Sequence, residues 1–288
     1  MNVIADLASK KGIHGEVMKE CIDYVKNNCI PDIGGKGVTI LKYLRKKLKE
    51  DNIEVLKADK GNAVILMDHD SYVEKMNEIL QSSGAVKVPL SKFNSQVKKV
   101  RSKVHGAVNM LRTVKEREAL LEPNPRVPRL YELPKLHKKE VPMRPVVSTI
   151  SSPSYKLEAF LSDWFNATTM FVPVRGIKSS KDLVDKLEAQ RWRFKGGGIK
   201  GDLVSFDVVG LYPSIPLKPV VEYAKRLLQS VNVAEMIIND FVVFLEQCLE
   251  MNFCSFREEI FKFPKDIGVP IGSPLSPLMG ELFMDCLE

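Results

Sequence analysis

Apolar residues recur three and four positions apart over residues 13–27 (IHGEVMKECIDYVKN) and 39–50 (TILKYLRKKLKE), which gathers them on one face of a helix. The second of these helices keeps its basic residues on the outer face. In KADKGNAVILMDHDSYVEKM the apolar run Ala63–Met67 follows a Gly-Asn turn and predicts a strand, with Ser71 placed to cap a helix over 71–81. Val97, Val100, Val104, Val108 and Leu111 then form the apolar stripe of one long helix that ends before Pro123 and Pro125. RLYEL and RPVVSTI, joined by a basic turn, predict a hairpin.

Lys181–Gln190 predicts another helix, and the run Gly196, Gly197, Gly198 a flexible joint before LVSFDVV, whose strongly apolar character predicts a buried strand. Pro219–Gln229 and Ala234–Asn252 follow as helices. FCSF and IFKF, around the polar tip Arg257, Glu258, Glu259, predict a second hairpin. The final segment, GVPIGSPLSPLMGELFMDCLE, predicts a Gly/Pro loop and then a helix opened by Ser276 as N-cap and Pro277 in the first turn.

Composition narrows the class. The 288 residues are 44% hydrophobic and 27% charged, enough apolar residues for a core. No apolar run approaches the ~20 residues of a membrane span, and MNVIADLASKKG lacks a secretory apolar stretch. The expectation is an intracellular protein without a membrane partner. Cys21, Cys29, Cys248, Cys254 and Cys286 form no CxxC or close Cys/His pairing, which favours reduced buried thiols over zinc or disulfides. From Ala85 to Glu140 there are fourteen Lys or Arg against five Glu, so this one segment carries more than the whole net charge of +7. Such clustering suits a polyanion, although a solvated helix face would read the same way.

The sharpest chemical feature is GDLVSFDVVGLYPSIP, where an apolar run delivers a single carboxylate, Asp207, to a Gly-Leu-Tyr turn. An acid so placed is either a cap or turn former, or a ligand for the divalent cations that serve nucleotidyl transfer. FDVVGLYPSIP resembles the first catalytic motif of reverse transcriptases. GVPIGSPLSPLMGELFM resembles their template- and nucleotide-positioning motif, and LYELPKLHKKEVPMRPVVSTISSP resembles their fingers hairpin. With KADKGNAVIL upstream, the set is similar to Penelope-like retroelements, relatives of telomerase reverse transcriptase, over residues 50–288. GLYPSI also approaches the first motif of family B DNA polymerases, but the Gly-Pro-Gly-Ser-Pro loop and the fingers hairpin favour reverse transcriptase.

The resemblance implies an α+β right-hand polymerase fold: a helical N-terminal extension over 1–122, fingers over 123–195 and a partial palm over 196–288. It makes Asp207 the first metal ligand of a two-Mg²⁺ mechanism, with the Val208 carbonyl aiding the second ion. Gly210 and Leu211 amides would face the triphosphate, and Tyr212 would be the gate that excludes a 2′-hydroxyl. Lys135 and Arg144 would clamp the dNTP phosphates. Gly268, Pro270, Gly272 and Ser273 would lie along template and primer, the glycines because a side chain would collide there. Simpler roles stay open: a core aromatic for Tyr212, a solvated basic hairpin for Lys135 and Arg144, a capping pair for Ser273 and Pro274. Asp59 and Lys60 belong to the family signature without a role assigned to them.

This sequence departs from the pattern at Lys265, where many relatives have Gln, and at Ile271, where they have Met. The Tyr-x-Asp-Asp hairpin expected after the Gly/Pro motif has no counterpart within these 288 residues, nor has a thumb or a GIY-YIG endonuclease. The expected partners are an RNA template, a DNA primer, their hybrid and dNTP, in the nucleus. The expected function is that of a reverse transcriptase fragment, or else of a catalytically dead, RNA- or hybrid-binding remnant.

Overall fold

The computed structural model describes residues 35–61, 63–136, 138, 141–191 and 204–288. The helix expected over 13–27 and the glycine joint at 196–198 lie outside them. The chain is mixed α and β, and its described residues fall in two compact units, one within 35–82 and 132–145, the other within 83–131 and 146–288.

In the first unit, helix α1 (Gly35–Glu50) leads into a hairpin of β1 (Ile53–Lys57) and β2 (Val64–Asp68), antiparallel with Leu56 opposite Ile65. Helix α2 (His69–Ser82) buries Met76 and Leu80. It begins two residues before the expected Ser71 cap. The Asp68 carboxylate accepts the Ser71 N–H at 3.0 Å, so the acid that closes the strand is the cap and Ser71 lies inside the first turn.

The second unit holds most of the core. After the short β3 (Val86–Lys87), helix α3 (Leu90–Gly106) buries Phe93, Gln96, Val100 and Val104. The single long helix expected here is two. Val108 is exposed and the chain turns at Ala107–Met110; a new helix, α4 (Val114–Ala119), opens with a capping box in which Thr113 and Glu116 satisfy each other's backbone N–H. That local cap competes with continuing α3, and Asp240 accepts the Asn109 and Met110 amides that the turn exposes.

Strands β4 (Arg129–Pro134) and β5 (Met143–Ser148) form the expected pair of extended runs. They join β6 (Phe253–Phe256) and β7 (Glu259–Lys262) in a mixed sheet ordered β3-β7-β6-β4-β5, with β4 parallel to β6 and β6 antiparallel to β7. Helices α5 (Tyr155–Thr169), α6 (Ser180–Arg191), α7 (Leu211–Ser214), α8 (Leu217–Ser230), α9 (Glu235–Leu249) and α10 (Ser276–Leu287) complete the described elements. Packing among α3, α5, α8, α9 and α10 buries Phe165, Phe241, Phe244, Ile238 and Met279. Phe165 stacks on Phe241 at 5.6 Å between ring centroids.

Two further expectations change. The described part of LVSFDVV, residues 204–209, forms no strand: Phe206 and Val209 are each 92% exposed and Val204 is 65% exposed. An apolar run becomes a strand only where a neighbouring edge accepts its backbone groups, and none does so among the described residues. Ser276 does not cap α10 either. Leu275 holds that position, and the Ser276 hydroxyl donates to the Pro270 carbonyl at 2.7 Å. No helix among the described residues is long and apolar enough to cross a membrane.

Candidate functional site

The Gly-Leu-Tyr turn and the Gly/Pro loop, 56 residues apart in the chain, lie hydrogen-bonded side by side. Gly210 takes a left-handed conformation (φ +65°) and starts the single turn of α7, where the Ser214 hydroxyl donates to the Gly210 carbonyl. From there the chain runs antiparallel to residues 266–269. Val269 N–H donates to the Tyr212 carbonyl (2.9 Å), Gly268 N–H to Ile215 (2.8 Å) and Leu217 N–H to Asp266 (3.1 Å).

Glycine is required along this seam. At Gly268, φ is +80° and a Cβ would sit 2.7 Å from the Pro213 carbonyl oxygen. At Gly272, φ is +120° and a Cβ would sit 2.5 Å from the Val147 oxygen. Val147 N–H in turn donates to Ile271, and the Thr149 hydroxyl to the Gly272 carbonyl. The collisions expected against template and sugar are thus collisions with the chain's own backbone, and the loop is stitched to β5 on one side and to the turn on the other.

Tyr212 is half-buried. Its ring edge lies against α10 at Gly280, where a Cβ would be 3.3 Å from Cε1. Leu211, Tyr212, Arg175, Pro277 and Glu281 line an open cleft of about 380 Å³, within the size range of small-molecule sites. Its far wall is tied by Asp285, which accepts from the Val174 N–H and from the Tyr223 hydroxyl. That bond and burial push the Tyr223 phenol up to about 12.

Ser273 is buried and fully engaged. Its hydroxyl donates to Glu158 Oε2 at 2.6 Å and accepts the Leu275 N–H; Ser154 donates to the other Glu158 oxygen. Burial pushes the Glu158 carboxyl up, while the two hydroxyls pull the other way. Glu158 therefore sits under the Gly/Pro loop as a buried acid supported by two serines. The sequence held a sign of it: Glu158, Leu161 and Phe165 share one helix face, so an acid lay on the apolar stripe.

Asp207 and Val208 lie on the exposed approach to the turn. Among the described residues no group of three or more His, Cys, Asp and Glu is gathered to hold a metal ion. A single exposed carboxylate does not fit a two-cation cage by itself.

Lys135 and Arg144 belong to the first unit. Lys135 N–H donates to the Pro142 carbonyl at the narrowing of the hairpin. Arg144 Nη1 lies 2.8 Å from Asp59 Oδ1, with the Asp59 side chain 1% exposed and that of Arg144 41% exposed. This pairing gives Asp59 of the ADKG segment the role that sequence reasoning left unassigned.

Five of the fourteen cations of the basic segment lie on α3, where Lys92, Lys98, Lys99, Arg101 and Lys103 are all exposed around the buried stripe. Burial lowers the Lys262 ammonium; Glu250 opposes this, and the charges of Lys92, Lys99 and Lys265 lower it further. Cations are therefore crowded on this side of the second unit. No protein-family model and no curated protein matches the chain.

Proposed function

We propose that the chain is the fingers and part of the palm of a reverse transcriptase of the Penelope-like type, whose intact form adds dNTPs to a DNA primer on an RNA template. The observation that carries this reading is the seam between residues 212–217 and 266–269. The two segments that resemble the catalytic and the template-positioning motifs, 206–216 and 268–284, are 52 residues apart in sequence from the end of one to the start of the other. A polymerase needs them adjacent, because the sugar of the incoming nucleotide and the templating base must be held together. A coincidental match of two short motifs carries no such requirement.

On this reading Tyr212, backed by Gly280, limits what fits at C2′ of the sugar. Its ring cannot retreat toward α10 without meeting helix backbone. The Gly/Pro loop is held rigid from below by Glu158 and Ser273, so the surface it offers to a template is pre-formed. Arg144 supplies a planar fork for phosphate oxygens and Lys135 a point charge. The cations of α3 would meet a nucleic-acid backbone through charge rather than sequence.

The second reading, an RNA- or hybrid-binding protein without polymerase activity, is favoured by the exposure of Asp207, which no other carboxylate joins in a metal-holding group among the described residues. Primer extension separates the two. This chain and its Asp207→Ala variant are given an RNA template, a DNA primer, dNTPs and Mg²⁺, and hybrid binding is measured at 50 and 200 mM salt. Hybrid binding common to both proteins and weakened at least tenfold by the added salt is expected. Asp207-dependent extension would establish the polymerase; no binding at either salt would sink both readings.

A further inference from the structure

We infer that Asp59 is a positioning residue for Arg144, orienting its guanidinium so that the free edge of the fork receives a polyphosphate; the inference rests on the phosphate-clamp role proposed above for Arg144. Three observations converge. Asp59 is a carboxylate almost wholly removed from water, with its Oδ1 2.8 Å from Arg144 Nη1. Its second oxygen, Oδ2, is buried and has no hydrogen-bond partner among the described residues. The Arg144 side chain, by contrast, keeps 41% of its surface, so donors remain open to a ligand.

A plain structural strut explains this arrangement less well. The turn that carries Asp59 is already joined to β4 by the backbone bond from Asp59 N–H to the Pro134 carbonyl, and closed on itself by Ala58 N–H to Ala63. An ion pair serving only to hold these segments would satisfy both carboxylate oxygens, ideally with the two-point geometry of which arginine is capable. Here the acid takes one nitrogen and, among the described residues, leaves one of its own oxygens without a donor. Burying a carboxylate this incompletely costs stability. The return is orientation: an arginine loses less freedom on binding a polyanion when one edge of its plane is already held. The turn places the acid where it can do this, since Gly61 takes φ +76° and allows the chain to reverse immediately after Lys60.

The test is binding of sodium tripolyphosphate, without divalent cation, to the full chain and to Arg144→Ala, Asp59→Asn, Asp59→Ala and the double variant Asp59→Ala/Arg144→Ala. Charge alone dictates that removing a carboxylate beside an anion site strengthens binding. Positioning dictates the reverse: Asp59→Ala weakens it roughly tenfold, and Asp59→Asn, whose amide oxygen still accepts from arginine, by roughly threefold. In the Arg144→Ala background the Asp59 substitution has no further effect.

Unchanged or tighter binding by Asp59→Asn would overturn the inference, and this conservative variant decides the sign even if Asp59→Ala does not fold. Losses that add in the double variant would overturn it too, because they would show Asp59 supporting the fold rather than acting through Arg144. Binding unaffected by Arg144→Ala would instead remove the phosphate-clamp reading itself, and the inference with it.

Discussion

Gly210 and Gly272 are alike on paper, yet each is glycine for a different reason. At Gly210 the left-handed φ is the whole cost, since a Cβ would meet nothing within 4 Å. Gly210→Ala should lose about 1–2 kcal/mol of stability. At Gly272 a Cβ would strike the Val147 oxygen, and backbone on both sides must move, so Gly272→Ala should lose about 3 kcal/mol or more. Urea denaturation measures both, and equal losses would mean that the close approach to β5 is not made. Glu132 offers a second test at this scale. Its side chain is buried, neither oxygen has a hydrogen-bond partner among the described residues, and burial raises its carboxyl to about 7 against the pull of Lys75. The folded protein then holds a proton that the unfolded chain has released above about pH 4.5. Stability from this group is complete below that pH and declines as pH rises toward 7. Glu132→Gln should flatten the decline between pH 5 and 8 in urea melts; an unchanged slope would place the titration elsewhere.

Elements were legible where a local rule decided them. The β6–β7 hairpin followed from alternating residues around a polar tip, and Phe256 pairs with Glu259 across a two-residue turn. The turn type was less legible, because Arg257 and Glu258 both take positive φ without being Gly or Asn. Such a turn prefers Asn-Gly, so Arg257→Asn/Glu258→Gly should stabilise the protein by about 1 kcal/mol, read as a rise in thermal midpoint. No rise would mean that side-chain contacts at the tip offset the strain. Helix α3 was expected to run on through Val108 because periodicity is blind to competition from a local cap, which Thr113 and Glu116 provide. The approach to Asp207 was expected to be a buried strand because its composition suits one, but pairing is a property of two segments and is not written in either.

At the scale of the molecule, part of the charge asymmetry visible in the sequence resolves into cations on exposed faces of α3, which Lys262 and Lys265 join near Glu250. Helix periods and the two hairpins could be read from the sequence alone, as could the three candidate motifs as patterns, because each depends on residues within a few positions of one another. Which motifs touch could not. The seam between residues 212–217 and 266–269, the acid Glu158 beneath Ser273 and the pairing of Asp59 with Arg144 each join positions tens of residues apart. Such contacts arise when several amphipathic faces close around one core, and their partners are chosen by shape and by unsatisfied polar groups rather than by any local spacing.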